Sequence, residues 1–117
     1  MRFFNIIIIL FWCLVLILFP TLAEASEAIT VPILTYHFIG NNPNPKDKAR
    51  DTLSVSPDKF EMQMDYLSKN GFTPITLDTL YGIYNKQTSA PLRPVVLTFD
   101  DGYIDFYTTA FPILRRF

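Results

Sequence analysis

From residue 26 onward, short continuous apolar runs alternate with stretches in which apolar residues recur every three or four positions. Val31-Pro32-Ile33-Leu34-Thr35-Tyr36-His37 is mostly apolar and β-prone, and predicts a buried strand with Pro32 near its start. Gly40 to Asp51 mixes Asn, Pro and charge and predicts a loop; its basic residues Lys46, Lys48 and Arg50 are diluted by Asp47 and Asp51 and read as solvated. Ser56-Pro57 then opens a helix, with a capping hydroxyl followed by proline at the first helical position, where the missing N–H goes unused. Asp58 and Glu61 lie near the positive end of its dipole. Phe60, Met64 and Leu67 recur at helical spacing as core residues, and Asn70-Gly71 ends the helix.

Phe72-Thr73-Pro74-Ile75 predicts a short strand, and Thr76 or Asp78 caps a second helix carrying Leu77, Leu80, Tyr81 and Tyr84. A polar loop from Lys86 to Arg93 leads to Val95-Val96-Leu97-Thr98-Phe99, a continuous apolar run suited to a central parallel strand covered on both faces. Tyr103 to Phe117 predicts a helix divided by Pro112. The order β-α-β-α-β-α implies an α/β fold with a largely parallel sheet, and three strands are too few to close a barrel. There is no internal repeat and no low-complexity segment.

The first 25 residues follow a different pattern. Arg2 precedes a stretch without charged side chains from Phe3 to Ala23, Pro20 breaks its helical potential, and Ala23-Glu24-Ala25 has the small-x-small form of a signal-peptidase site. The segment reads as a signal peptide cleaved after Ala25, with an uncleaved membrane anchor as the other reading, since about 20 apolar residues suffice to span. Trp12, where a small residue is needed, argues against lipoprotein processing at Cys13. Cys13 is the one cysteine, so residues 26–117 offer no disulfide, thiolate zinc site or cysteine nucleophile. An exported chain without cysteines suits a bacterial periplasm, cell wall or exterior. Composition narrows the partners further. Ten basic against 11 acidic residues, a net charge of -1, argue against a nucleic-acid protein, and contact with a membrane is confined to the N-terminal segment.

Chemistry in parallel α/β proteins collects at the C-terminal ends of strands, where this chain places Tyr36-His37 and Asp100-Asp101. Two adjacent carboxylates after five apolar residues are costly to bury without a cation or donors. Gly102 permits a sharp turn that lets both point into one pocket, one holding a metal while the other takes a proton from water. Capping of the following helix is the plain structural role for the same pair. His37, the single histidine, reads either as a hydrogen-bonded structural residue or as part of a site. One histidine and one aspartate do not complete a catalytic metal site, which takes three protein ligands. No Gly-rich phosphate loop is present.

Thr98-Phe99-Asp100-Asp101-Gly102-Tyr103 strongly resembles the first motif of the polysaccharide deacetylase family (the NodB-homology domain, carbohydrate esterase family 4). The strand Val31 to His37, the segment from Ser56-Pro57-Asp58-Lys59-Phe60 through Gly71-Phe72, and Phe111-Pro112-Ile113-Leu114 resemble the poly-N-acetylglucosamine deacetylase-like branch. The resemblance implies that residues 26–117 form the N-terminal part of a distorted (β/α) barrel, incomplete in this chain. It further implies metal-dependent hydrolysis of the acetamide bond of N-acetylated polysaccharides. By position Asp100 would be the general base and Asp101 a ligand of zinc or a similar divalent ion, with His37 and Tyr103 against substrate. The family's second motif, His-Ser/Thr-x-x-His, supplies the other ligands and is absent, because no histidine follows His37. The later arginine and the histidine acid are missing as well, so the chain by itself is expected to have little or no activity. A reading of another class is a non-catalytic glycan-binding module, with Tyr36, Tyr81, Tyr84 and Tyr103 stacking on sugars instead of packing a core. A separate chain supplying the missing motifs is a third.

Overall fold

A computed structural model describes residues 29–117. The expected signal peptide or anchor, residues 1–25, lies outside the described residues. Five strands, β1 (Ile33–Tyr36), β2 (Phe38–Ile39), β3 (Ser54–Val55), β4 (Thr73–Pro74) and β5 (Pro94–Phe99), are all paired in parallel. They form a three-stranded sheet of order β1-β5-β4 and a two-stranded sheet of β2 and β3. The helices are α1 (Lys48–Leu53), α2 (Pro57–Lys69), α3 (Leu77–Tyr84) and α4 (Phe111–Leu114), the last entered through a π-helical turn, Phe106–Ala110.

The expected strands and their order hold. The run ending at Phe99 is the central strand, with Val95 and Val96 buried between its two neighbours. Pro94 is its first residue, the position where a strand tolerates a missing N–H. In α2 Ser56 is the cap residue with Pro57 at the first position, and Gly71 follows the helix with φ of 68°, the left-handed conformation that glycine adopts freely. The Ser56 side chain makes no capping hydrogen bond, contrary to expectation. For α3, Thr76 rather than Asp78 caps, accepting from the Thr79 N–H at 3.1 Å.

Other features depart from the sequence reading, beginning with β2 and β3, which lie outside the three expected strands. The expected loop from Gly40 to Asp51 contains the start of α1, because the Asp47 carboxylate accepts from the Arg50 N–H at 3.0 Å and closes a turn. Arg50 is not solvated: its guanidinium lies 4.0 Å from the Phe38 ring centroid, and its Nε is buried. Pro112 does not divide the last helix. The turn before it widens, and the Phe111 N–H reaches back to the Phe106 carbonyl, so the chain enters proline without a break in the coil.

One core cluster joins the elements. Phe60 and Met64 from α2 pack with Tyr36, Ile39, Ala110 and Ile113, and Leu67 and Phe99 border them. Tyr36 meets the Phe60 ring edge-on at 5.0 Å and stacks on Phe99 at 5.3 Å, while its hydroxyl donates to Gln63 Oε1 at 2.9 Å. It is therefore a core residue and not a sugar platform. Burial raises the Tyr36 pKa above its ordinary 10.0.

Phe60 is fully buried, so Phe60→Ala is expected to lower unfolding free energy by about 3–5 kcal/mol in a urea titration. Because the neutral Tyr36 phenol is favoured in the folded state, its contribution is whole below pH 10.0 and is lost as pH rises through the raised folded pKa. Stability should therefore fall in that alkaline window. Tyr36→Phe, compared by thermal melts across the same range, should flatten the fall; an unchanged slope would show that another group causes it.

Candidate functional site at the strand ends

The site follows from the β1–β5 register. Ile33 pairs with Val96 and Tyr36 with Phe99, so the next residues, His37 and Asp100, emerge side by side at the C-terminal ends of neighbouring strands. Cross-strand bonds hold the register: Thr98 Oγ1 donates to Thr35 Oγ1 at 3.0 Å, and the Asp100 N–H donates to the Tyr36 carbonyl at 2.9 Å. His37 occupies the bend at which the chain leaves β1 and enters β2. Its Nε2 lies 4.0 Å from Asp100 Oδ2, beyond direct hydrogen bonding. The side chains are 26% and 47% exposed, so the pair is open to a ligand from solvent.

His37, Asp100 and Tyr103 line a single cleft of about 420 Å³, walled by Phe99, Ile104, Phe106 and Tyr107. Asp101 does not line it. There the chain turns at Asp101 and Gly102, with φ of 66° and 64°. Asp101 carries this left-handed conformation without glycine's freedom, a local strain that aspartate bears better than most residues. Tyr81 and Tyr84 are exposed on α3 and do not line the cleft. Among the described residues, no group of three or more His, Cys, Asp or Glu side chains is placed to hold a metal ion.

Two contacts that local patterns do not reveal buttress the cleft. The Phe38 ring, beside Arg50, also lies 4.0 Å from the Tyr103 ring. The Ile39 N–H donates to Asp105 Oδ2 at 3.0 Å across 66 residues of sequence. Nothing in the spacing of Phe38, Arg50 and Tyr103, or of Ile39 and Asp105, signals these meetings.

By sequence and by fold, the chain is similar to polysaccharide deacetylase-type hydrolases. Homologues and structural neighbours alike are polysaccharide deacetylases, and the described residues form part of their NodB-homology barrel. No protein-family model matches the chain. The chain is 38% identical over 76 residues to the poly-beta-1,6-N-acetyl-D-glucosamine N-deacetylase of Escherichia coli (strain K12), covering 63% of this chain and 11% of that protein. It superimposes on the Streptococcus pyogenes deacetylase PplD in complex with acetate with a TM-score of 0.65 and 34% identity, over 75% of this chain and 38% of that one. IcaB from Ammonifex degensii gives a TM-score of 0.59 at 28% identity, over 74% of this chain and 34% of that one. The chain thus spans only a minor part of these relatives.

If the left-handed turn strains Asp101, then Asp101→Gly should be more stable than Asp101→Ala by about 1 kcal/mol in urea denaturation, although both remove the carboxylate. Equal stabilities would show that the turn relaxes.

Proposed function

We propose that this chain supplies part of the active site of an exported polysaccharide N-deacetylase, which hydrolyses the acetamide bond of N-acetylated sugars. The observation that carries this reading is the pairing of His37 with Asp100 at the mouth of the aromatic cleft, within a segment homologous to polysaccharide deacetylases. Asp100 is the general base. Its half-exposed carboxylate stands at the end of the central strand, where it can take a proton from an attacking water. His37 is positioned to contact substrate or that water, and the Tyr103 ring offers an apolar face to a sugar. The acetamide would enter between them, with its methyl against the Phe99 and Phe106 side of the cleft.

Asp101 is proposed as one ligand of a divalent ion, zinc being the candidate. The described residues do not complete a set of ligands, so they do not fit a bound ion by themselves. Export rests on the N-terminal segment, either cleaved after Ala25 or retained as an anchor. Among the described residues, no helix is long and apolar enough to cross a membrane.

A chimera tests the reading: this chain's matched residues replace the corresponding segment of the Escherichia coli relative. It is expected to release free amine from poly-beta-1,6-N-acetyl-D-glucosamine, and Asp100→Asn within it to slow release by about 10²–10⁴-fold. The 117-residue chain alone is expected to release none. A folded chimera whose turnover ignores Asp100→Asn defeats the assignment. Metal-independent glycan binding by the chain that survives Asp100→Ala and Asp101→Ala would favour a binding module instead.

A further inference from the structure

His37 and Asp100 do not hold each other in place, because 4.0 Å is too long for a hydrogen bond. The β1–β5 register brings their backbones side by side, and the placement of the His37 ring against Asp100 then depends on what ties the segment after His37 to the segment after Asp101. Among the described residues, the one hydrogen bond between those segments runs from the Ile39 N–H to Asp105 Oδ2 at 3.0 Å. We propose that Asp105 is a positioning residue: its carboxylate clamps β2 to the start of the last helix and so fixes the distance between His37 and Asp100.

Three observations support this. Ile39 is 1% exposed and pairs with Val55, so the donor sits on a packed strand two residues beyond His37. The other oxygen, Asp105 Oδ1, is buried with no hydrogen-bond partner among the described residues. A half-satisfied carboxylate with one oxygen out of reach of solvent is a poor choice for stability alone, since an apolar side chain of similar volume leaves no polar atom unpaired. A charged acceptor does, however, give a short, directional bond. Finally, the adjacent contact, Phe38 on Tyr103, is an aromatic packing that permits sliding; the hydrogen bond does not. The role in positioning rests on the deacetylase reading, but the geometry is testable without turnover.

His37 is the single histidine, so the imidazole Hε1 proton of the full chain gives one nuclear magnetic resonance signal. In Asp105→Ala the Ile39 amide is expected to exchange with solvent about tenfold faster or more, while the Val96 amide in β5 keeps its protection, and the His37 signal shifts or splits. Asp105→Asn, which retains an oxygen acceptor of the same size, is expected to keep both the Ile39 protection and the His37 signal. If Asp105→Ala also exposes Val96, the fold has been lost and Asp105→Asn decides: wild-type values support the clamp, and a changed His37 signal overturns it. Faster Ile39 exchange with an unmoved His37 signal would reduce Asp105 to a structural role. Unchanged Ile39 exchange in Asp105→Ala would remove the clamp altogether. Each readout is independent of the chimera, which can fail to turn over with the clamp intact.

Discussion

The parallel register between β1 and β5 is the constraint on which everything functional here depends. Side chains alternate faces along a strand, so a slip of one residue would bring Asp100 beside Tyr36 or Phe38 and turn the aromatic core residues outward. The register is specified twice. The Thr35–Thr98 hydroxyl bond locks it on one face, and the Tyr36–Phe99 stack, set against Phe60, locks it on the other. The site is the next step along each strand, so the core determines its geometry directly.

Beyond the sheet, both chains leave sharply, and the contrast is instructive. After β1 the chain bends at His37 and immediately rejoins a sheet, with Phe38 and Ile39 both buried. After β5 it turns through Asp101 and Gly102 in left-handed conformations and stays exposed until the helix begins. A buried corner thus faces an exposed one across the cleft. The histidine belongs to the stiffer side, and the two carboxylates to the side with more freedom.

Much of the large-scale plan was legible in the residues. Ser56-Pro57 and Gly71 bracket α2, and Phe60 and Met64 are its buried face. The uninterrupted apolar run before Asp100 identifies a strand flanked on both sides, which is where β5 lies. The Thr-Phe-Asp-Asp-Gly motif and His37 pointed to the site, and the cleft contains both His37 and Asp100. What escaped the pattern is short or distant. β2 and β3 have two residues each, too few for alternation to show, and are made by each other's presence. Arg50 looked like a solvated charge because its partner, Phe38, lies on another element. The path at Asp101 escaped for a different reason: Gly102 signalled a turn, but not that the preceding aspartate would share its left-handed geometry.

The strand order also dictates when the protein can become itself. β5 is the last strand among the described residues yet lies between the other two of its sheet, and its bonds to β1 close over a separation of 63 residues. While the ribosome is still upstream of residue 94, β1 and β4 have no shared neighbour, and the three-stranded sheet cannot form. Emergence of Pro94–Phe99 then closes two long loops at once, the kind of non-local step that slows folding and leaves apolar segments uncovered in the interval. The three-stranded sheet and the meeting of His37 with Asp100 therefore form together, once Pro94–Phe99 is available to pair.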